Sequence, residues 1–352
     1  MRVPEDIAAK IEPFDKAAYL ECIKSFDSVA KPVGSLGALE EMVAKIAGIT
    51  GSALIPAPLR KAVVVFCADN GVVAEGVSQS GSEVTTAIAR SLAAGRTSVS
   101  RMAKTCGAEV FPVDIGMLED VAGLENKKLS RGTGDITREP AMTRETAEKA
   151  ILTGVDYVRT LKEKGFTVIA TGEVGIGNTT TSSAVTAALL GRTADEVTGR
   201  GAGLDDTRLA RKIDVVRRAI DLHKPDPGDP VGVLSKLGGL DIAAIAGAFL
   251  GGALYRTPVI MDGFISAAAA LCAVRICPRV RDFILPSHMS AEPGMLALVK
   301  ELDFSPVIHA GMHLGEGTGA VTLLPLLDMA ADVLNNAAKF TDIAVEQYER
   351  LT

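Results

Sequence analysis

Apolar residues along the chain fall into two alternating patterns. Short unbroken apolar runs occur at 62–67 (AVVVFC), 110–115 (VFPVDI), 167–170 (TVIA), 259–261 (VIM), 283–285 (FIL) and 307–309 (VIH). Runs this short, without polar alternation, predict strands covered on both faces. Between them lie segments of helical period, clearest at 83–102, 144–164, 206–222, 240–254 and 320–336. Strand–helix alternation predicts an α/β fold: a mostly parallel six-stranded sheet with helices on both sides, an αβα sandwich. Residues 1–30 and 335–352 carry an amphipathic, helix-like pattern with no strand signal. They predict a small helical subdomain built from both termini, beside a large α/β domain spanning 31–334. The Pro-rich stretch 224–231 (KPDPGDPV) reads as a rigid loop.

Composition narrows the classes. With 352 residues, 47% hydrophobic and 23% charged, the chain can bury a large core, and global disorder is excluded. The net charge of -6 and the absence of Trp argue against a nucleic-acid partner, which would call for a basic surface and aromatic platforms. The longest apolar run, 242–255, is 14 residues, short of the roughly 20 that a spanning helix needs, so no membrane association is expected. The first residues, MRVPEDIAAKIEPFDK, lack an apolar signal-peptide core. Five cysteines without a CxxC pair read as reduced thiols, and the expected location is cytoplasmic.

Glycine is enriched, at 35 residues, and clusters in segments that follow the expected strands. That places them at the carboxyl edge of the sheet, where open α/β folds bind ligands. The segment 171–181 (TGEVGIGNTTT) joins a strand to a helix. Gly175 and Gly177 let the backbone approach a ligand, and the new helix offers free N–H groups, the makings of a phosphate cup. It is neither a P-loop nor a full dinucleotide fingerprint, since no GK[ST] follows and Thr180 holds the third glycine position. In 309–320 (HAGMHLGEGTGA), Glu316 stands between glycines at the start of a long apolar helix. Burial there would raise its pKa and suit it to proton abstraction, while the helix N-terminus would oppose the shift. Capping of the helix is the competing role. His309 and His313 have a spacing that a metal site uses, but no third ligand accompanies them. The turn 199–206 (GRGAGLDD) leads into a helix carrying Lys212, which could neutralise a phosphate in the cup or simply sit on a solvated basic face. In 67–78 (CADNGVVAEGVS), Asp69 or Glu75 could be functional, or an Asx turn and a solvated side chain.

Taken together, KPVGSLG (31–37), ADNGVVAEGVS (68–78), GEVGIGNTTT (172–181), GRGAGLDD (199–206), SHMSAEPG (287–294) and HLGEGTGA (313–320) resemble the nicotinate-nucleotide–dimethylbenzimidazole phosphoribosyltransferase family, in order and over nearly the whole chain. The resemblance implies a Rossmann-like parallel sheet with a small helical domain from both termini, usually in a homodimer with composite active sites. It implies transfer of the ribose phosphate of nicotinate mononucleotide to a lower-ligand base of cobamides, with release of nicotinate. It makes Glu316 the catalytic base and Glu173 a second functional glutamate. Phosphate and nucleotide contacts map to Gly175, Gly177, Asn178, Thr179, Thr180, Gly203, Lys212, Ser290 and Gly315, and an acceptor-base pocket to Ser78, Ser80 and Ser82. No metal or cofactor is expected, because helix dipoles and a lysine suffice for one phosphate.

The chain departs from the family pattern at one place. Where the family usually has an aromatic-Pro-Gln stretch before EVT, this chain has Gln79-Ser80-Gly81-Ser82. A smaller, more polar lining predicts a different acceptor, a phenol or p-cresol, as in relatives that work as two-paralogue complexes. A heteromeric partner, or a non-catalytic subunit of such a complex, is the alternative. An unrelated dinucleotide-dependent oxidoreductase is disfavoured by the incomplete glycine fingerprint.

Overall fold

One sheet of six parallel strands organises the molecule, seen in a computed structural model that describes residues 3–350. The strands are β1 (Lys61–Ala68), β2 (Ala108–Gly116), β3 (Glu125–Asn126), β4 (Val168–Val174), β5 (Val259–Met261) and β6 (Ile284–Pro286). Their spatial order is β3-β2-β1-β4-β5-β6. Chain order reverses between β1 and β4, and this switch point opens a crevice at the carboxyl ends of both strands. Strands β1 and β4 are buried along their full length, which is why they read as unbroken apolar runs.

The helices are α1 (Val3–Ala8), α2 (Lys16–Ser28), α3 (Ala38–Thr50), α4 (Glu83–Ala93), α5 (Ser98–Thr105), α6 (Arg144–Glu163), α7 (Asn178–Leu190), α8 (Ala194–Val197), α9 (Asp206–His223), α10 (Pro230–Leu237), α11 (Leu240–Leu254), α12 (Phe264–Ile276), α13 (Gly294–Glu301) and α14 (Thr318–Asn336). The apolar run at 242–255 is almost entirely the buried helix α11, and no helix among the described residues is long and apolar enough to cross a membrane. Helix α11 lies against α6 at glycine contacts. A methyl on Gly154 would come within 1.9 Å of the Ala244 carbonyl, and one on Gly247 within 1.9 Å of that of Ile151. The two backbones therefore touch, and any larger residue there would force them apart.

Three elements differ from the sequence expectation. The run 307–309 is not a strand: Ile308 makes a single bridge to His288, Pro306 lacks an N–H to extend the pairing, and the segment is half exposed. The sixth strand is instead the two-residue β3, whose exposed Glu125–Asn126 carries no apolar signal. The segment 83–102 is two helices, because Gly95 takes φ +67° and Thr97 caps a new start. At the C-terminus no α-helix follows Asn336 among the described residues; a 3-10 turn at Phe340–Ile343 precedes irregular chain. The chain ends do meet, through the Val29–Lys339 bridge and the Asp27–Arg350 ion pair, whereas α1 packs on α6, α11 and α12.

Candidate active site

A cavity of about 310 Å³ occupies the crevice at the switch point. Its walls come from the loops after β1, β4, β5 and β6, the turn before α9, and the loop before α14. Among the expected site residues, it is lined by Ser78, Ser80, Glu173, Gly175, Gly177, Asn178, Thr179, Lys212, Ser290, Gly315 and Glu316.

One end is built for an anion. Gly177, at φ +92°, ends the β4 loop and lets α7 start with its free amides at the cavity wall. Lys212 is buried, 1% exposed, on α9. Its Nζ donates to Thr179 Oγ1 at 2.8 Å and to the Gly199 carbonyl at 3.1 Å. Burial pulls its ammonium down to about 8, with the Glu292 carboxylate acting against that shift. Lys212 is therefore not on a solvated face. Glu292 accepts the Gly201 N–H at 2.9 Å and so fixes the glycine turn over the lysine.

The other end collects carboxylates. Glu173 occupies the penultimate position of β4, buried beneath the loop that carries Gly315 and Glu316. Asn178 donates to both Glu173 and Asp241, the latter at 3.0 Å. Burial first, and the Asp241 carboxylate next, push the Glu173 carboxyl well above the ordinary range. Asp241 itself is raised to about 6 by burial. Glu316 adopts φ +61°, unusual for a residue with a side chain, so its carboxylate does not cap its own helix. Instead its Oε2 accepts the Val99 N–H of α5 at 3.1 Å. Burial raises its pKa and that amide opposes the rise. A helix N-terminus does counter the shift, as expected, but it belongs to α5 and not to α14.

The amides of α14 go to Asp262, which follows β5 and accepts from Gly317 N at 3.2 Å and Ala320 N at 2.9 Å. Buried His288 lies 4.0 Å from Asp262, with Ser287 Oγ 3.1 Å from the same ring nitrogen. Burial pushes the aspartate up and the imidazole down. Asp262, His288, Asp241 and Glu292 were not singled out from the sequence. Asp262 did carry a signal, since it directly follows β5 as the glycine loop 175–177 follows β4. Gly172 completes the support: a methyl there would fall 2.3 Å from the Glu316 carbonyl, so only glycine lets the β4 backbone lie under this loop.

Several expected residues fall elsewhere. The Thr180 side chain is buried behind the cavity wall, and its hydroxyl has no partner among the described residues. Neither Ser82 nor Gly203 lines the cavity. Ser82 precedes α4 at its N-cap position, and the Gly203 carbonyl accepts from Gln79 at 2.5 Å. Gln79 thus ties the Ser78–Ser80 loop to the turn before α9. Glu75 is held by Arg138 and Arg218, and Asp69 accepts the Leu118 N–H at 2.8 Å, so both have structural partners. His309 faces the backbone carbonyl of Pro306; His313 does line the cavity, but its ring faces the Gly311 carbonyl, and no cluster of three or more possible metal-ligating side chains occurs among the described residues.

A family model described as "Phosphoribosyltransferase" matches residues 11–345. The nicotinate-nucleotide–dimethylbenzimidazole phosphoribosyltransferase of Ruminiclostridium cellulolyticum is 48% identical over 93% of this chain and 94% of its own length. The enzyme of the same name from Clostridium acetobutylicum is 44% identical over 99% of both. Among solved structures, CobT from Thermus thermophilus superposes with a TM-score of 0.87 at 37% identity, covering 94% of this chain and 100% of that one. The chain belongs to the nicotinate-nucleotide–dimethylbenzimidazole phosphoribosyltransferase family.

Proposed function

We propose that this chain moves the 5-phosphoribosyl group of nicotinate mononucleotide to an aromatic lower-ligand base of cobamides, releasing nicotinate and leaving an α-ribotide for nucleotide-loop assembly in cobalamin biosynthesis. The observation that carries this reading is a single cavity with a buried lysine at one end and Glu173 and Glu316 at the other.

The nucleotide binds with its phosphate on the α7 amides, Thr179 and Lys212. Its pyridinium lies toward the carboxylates. A positive charge arriving there favours ionisation of Glu173, whose carboxyl burial and Asp241 otherwise hold up. The pyridinium leaves as neutral-ring nicotinate without needing a proton. Charge at C1′ grows as the bond to nitrogen breaks, and the Glu173 carboxylate stabilises it. The acceptor attacks the opposite face of C1′, which inverts the anomeric centre. Glu316 takes the acceptor's N–H or O–H proton as the new bond forms. Electrons from the broken glycosidic bond stay on the nicotinate nitrogen, so the reaction calls for no redox partner.

Ser78 and Ser80 line the acceptor side of the cavity with Val77, Val84, Ile88 and Leu314. This small, hydroxyl-bearing lining supports acceptance of phenol or p-cresol alongside azoles. The enzyme acts in the cytoplasm as a homodimer, or as a heterodimer with a paralogue. The test is nicotinate release by the purified chain from nicotinate mononucleotide, run with dimethylbenzimidazole and with phenol. Release with both supports the broad acceptor range. A kcat/KM for the azole more than about tenfold above any phenol, or about 1.4 kcal/mol of transition-state preference, would contradict it. Silence with both would favour a partner-dependent or non-catalytic subunit.

A further inference from the structure

We propose that the N-terminus of α5 is the positioning element for Glu316: the Val99 N–H pins one carboxylate oxygen and leaves the other free to take the acceptor's proton. The inference rests on the reading of Glu316 as the base. Three observations carry it. The apolar period continues across 83–102, yet the chain interrupts the helix at Gly95 and restarts it at Ser98. Thr97 caps the restart by accepting from Ser100, which leaves the amide of buried Val99 without an intrahelical acceptor. Glu316, 217 residues away in sequence, supplies the acceptor at 3.1 Å.

The Glu316 backbone is shaped for this contact. Its left-handed conformation is unfavourable for a residue with a side chain. What that conformation achieves is a carboxylate turned from the N-terminus of α14, whose amides Asp262 occupies, toward that of α5. The remaining oxygen, Oε1, has no hydrogen-bond partner among the described residues, and Glu316 lines the cavity. Since α5 packs on both β2 and α14, the pinning amide is fixed by the sheet and by the helix that Glu316 itself precedes.

The charged groups around Glu316 are Asp262 after β5, Glu173 on β4 and His288 after β6. On α5 itself Arg101 and Lys104 are exposed. Burial and the Asp262 carboxylate raise the Glu316 pKa, and the α5 amide that touches it acts in the opposite direction.

Two variants test the element without touching the base. Ser98 is exposed in the first turn of α5, where an acidic residue favours the helix. Ser98→Asp therefore keeps the fold while adding a negative charge one residue before the amide that pins the carboxylate. Val99→Pro removes the N–H at a position where a first-turn proline is tolerated. Both should raise the Glu316 pKa, moving the acid limb of kcat upward by about 0.5–1 pH unit, with kcat well below the wild-type midpoint down roughly three- to tenfold and recovering at higher pH. KM for nicotinate mononucleotide should stay near the wild-type value. A purely structural role for α5 predicts an unmoved limb in Ser98→Asp. That result overturns the proposal, even if Val99→Pro fails to fold. Glu316→Gln, assayed in parallel, separates the two readings. Wild-type kcat in that variant overturns the base assignment and the proposal with it. A collapsed kcat beside an unmoved Ser98→Asp limb overturns only the positioning role.

Discussion

The two ends of the cavity solve opposite electrostatic problems. At the lysine end Lys212 is buried and already bonded to Thr179 and the Gly199 carbonyl, and burial weakens its charge. At the other end four acids, Glu173, Asp241, Asp262 and Glu316, crowd together, and burial raises each of them. At both ends burial disfavours the charged form. In the proposed function, the nucleotide's phosphate meets the lysine end, and its pyridinium nitrogen, at the bond that breaks, faces the carboxylates. On the proposed reading of the site, the difference is a division of labour: the lysine end supplies affinity, and the carboxylate end supplies rate.

Substitutions at the two ends should therefore separate in their kinetics. The largest effect belongs to Glu316→Gln, with kcat falling by roughly 10²–10⁴ while nucleotide affinity holds. Pre-steady-state nicotinate release beside calorimetric binding would check it. Next comes Lys212→Ala, which removes a charge-assisted contact of roughly 2 kcal/mol. KM for nicotinate mononucleotide should rise about thirtyfold with kcat little changed, as an initial-rate comparison would read.

Lys212 also sets a pH dependence. Its ammonium must be charged to hold phosphate, and burial has pulled it down to about 8 in the free protein. Affinity for the nucleotide is thus retained below that value and lost as pH rises through it. Titrating KM from about pH 7 to 9 should show the rise, and its absence in Lys212→Ala should confirm the source. The smallest effect is expected for Asp241→Asn. Losing this neighbour lets the Glu173 carboxyl fall toward its ordinary range. The acid limb of kcat/KM should move down by a few tenths of a unit, an effect set by one carboxylate neighbour. An upward shift would mean that Asp241 acts on Glu173 otherwise than through its charge.

The contrast between the ends also explains what the sequence could reveal. The phosphate end was legible because it is a run: a strand, a glycine turn and a helix start, all within 168–181. Even there Thr180 was misplaced. Successive helical residues point about 100° apart, so Thr179 meets Lys212 while Thr180 turns into the core. The carboxylate end gathers single acids from β4, α11, the loop after β5 and the loop before α14, with no motif spanning them. Glu173 and Glu316 stood out only through the glycines beside them, and Asp241, Asp262 and His288 did not. Fold class followed from the apolar runs of β1, β2 and β4. Helices α7 and α12 are buried on nearly every side, so no amphipathic period outlined them, whereas α11 was legible as the helical segment 240–254.

The most direct test of this division is a crossed measurement on two variants: nucleotide Kd and kcat for Glu316→Gln and for Lys212→Ala under one set of conditions. The account predicts that Glu316→Gln lowers kcat at least about 100-fold with Kd near wild type, and that Lys212→Ala weakens Kd with kcat near wild type. If either variant shifted both quantities in equal measure, the two ends would not divide affinity from rate, and the central claim would be wrong.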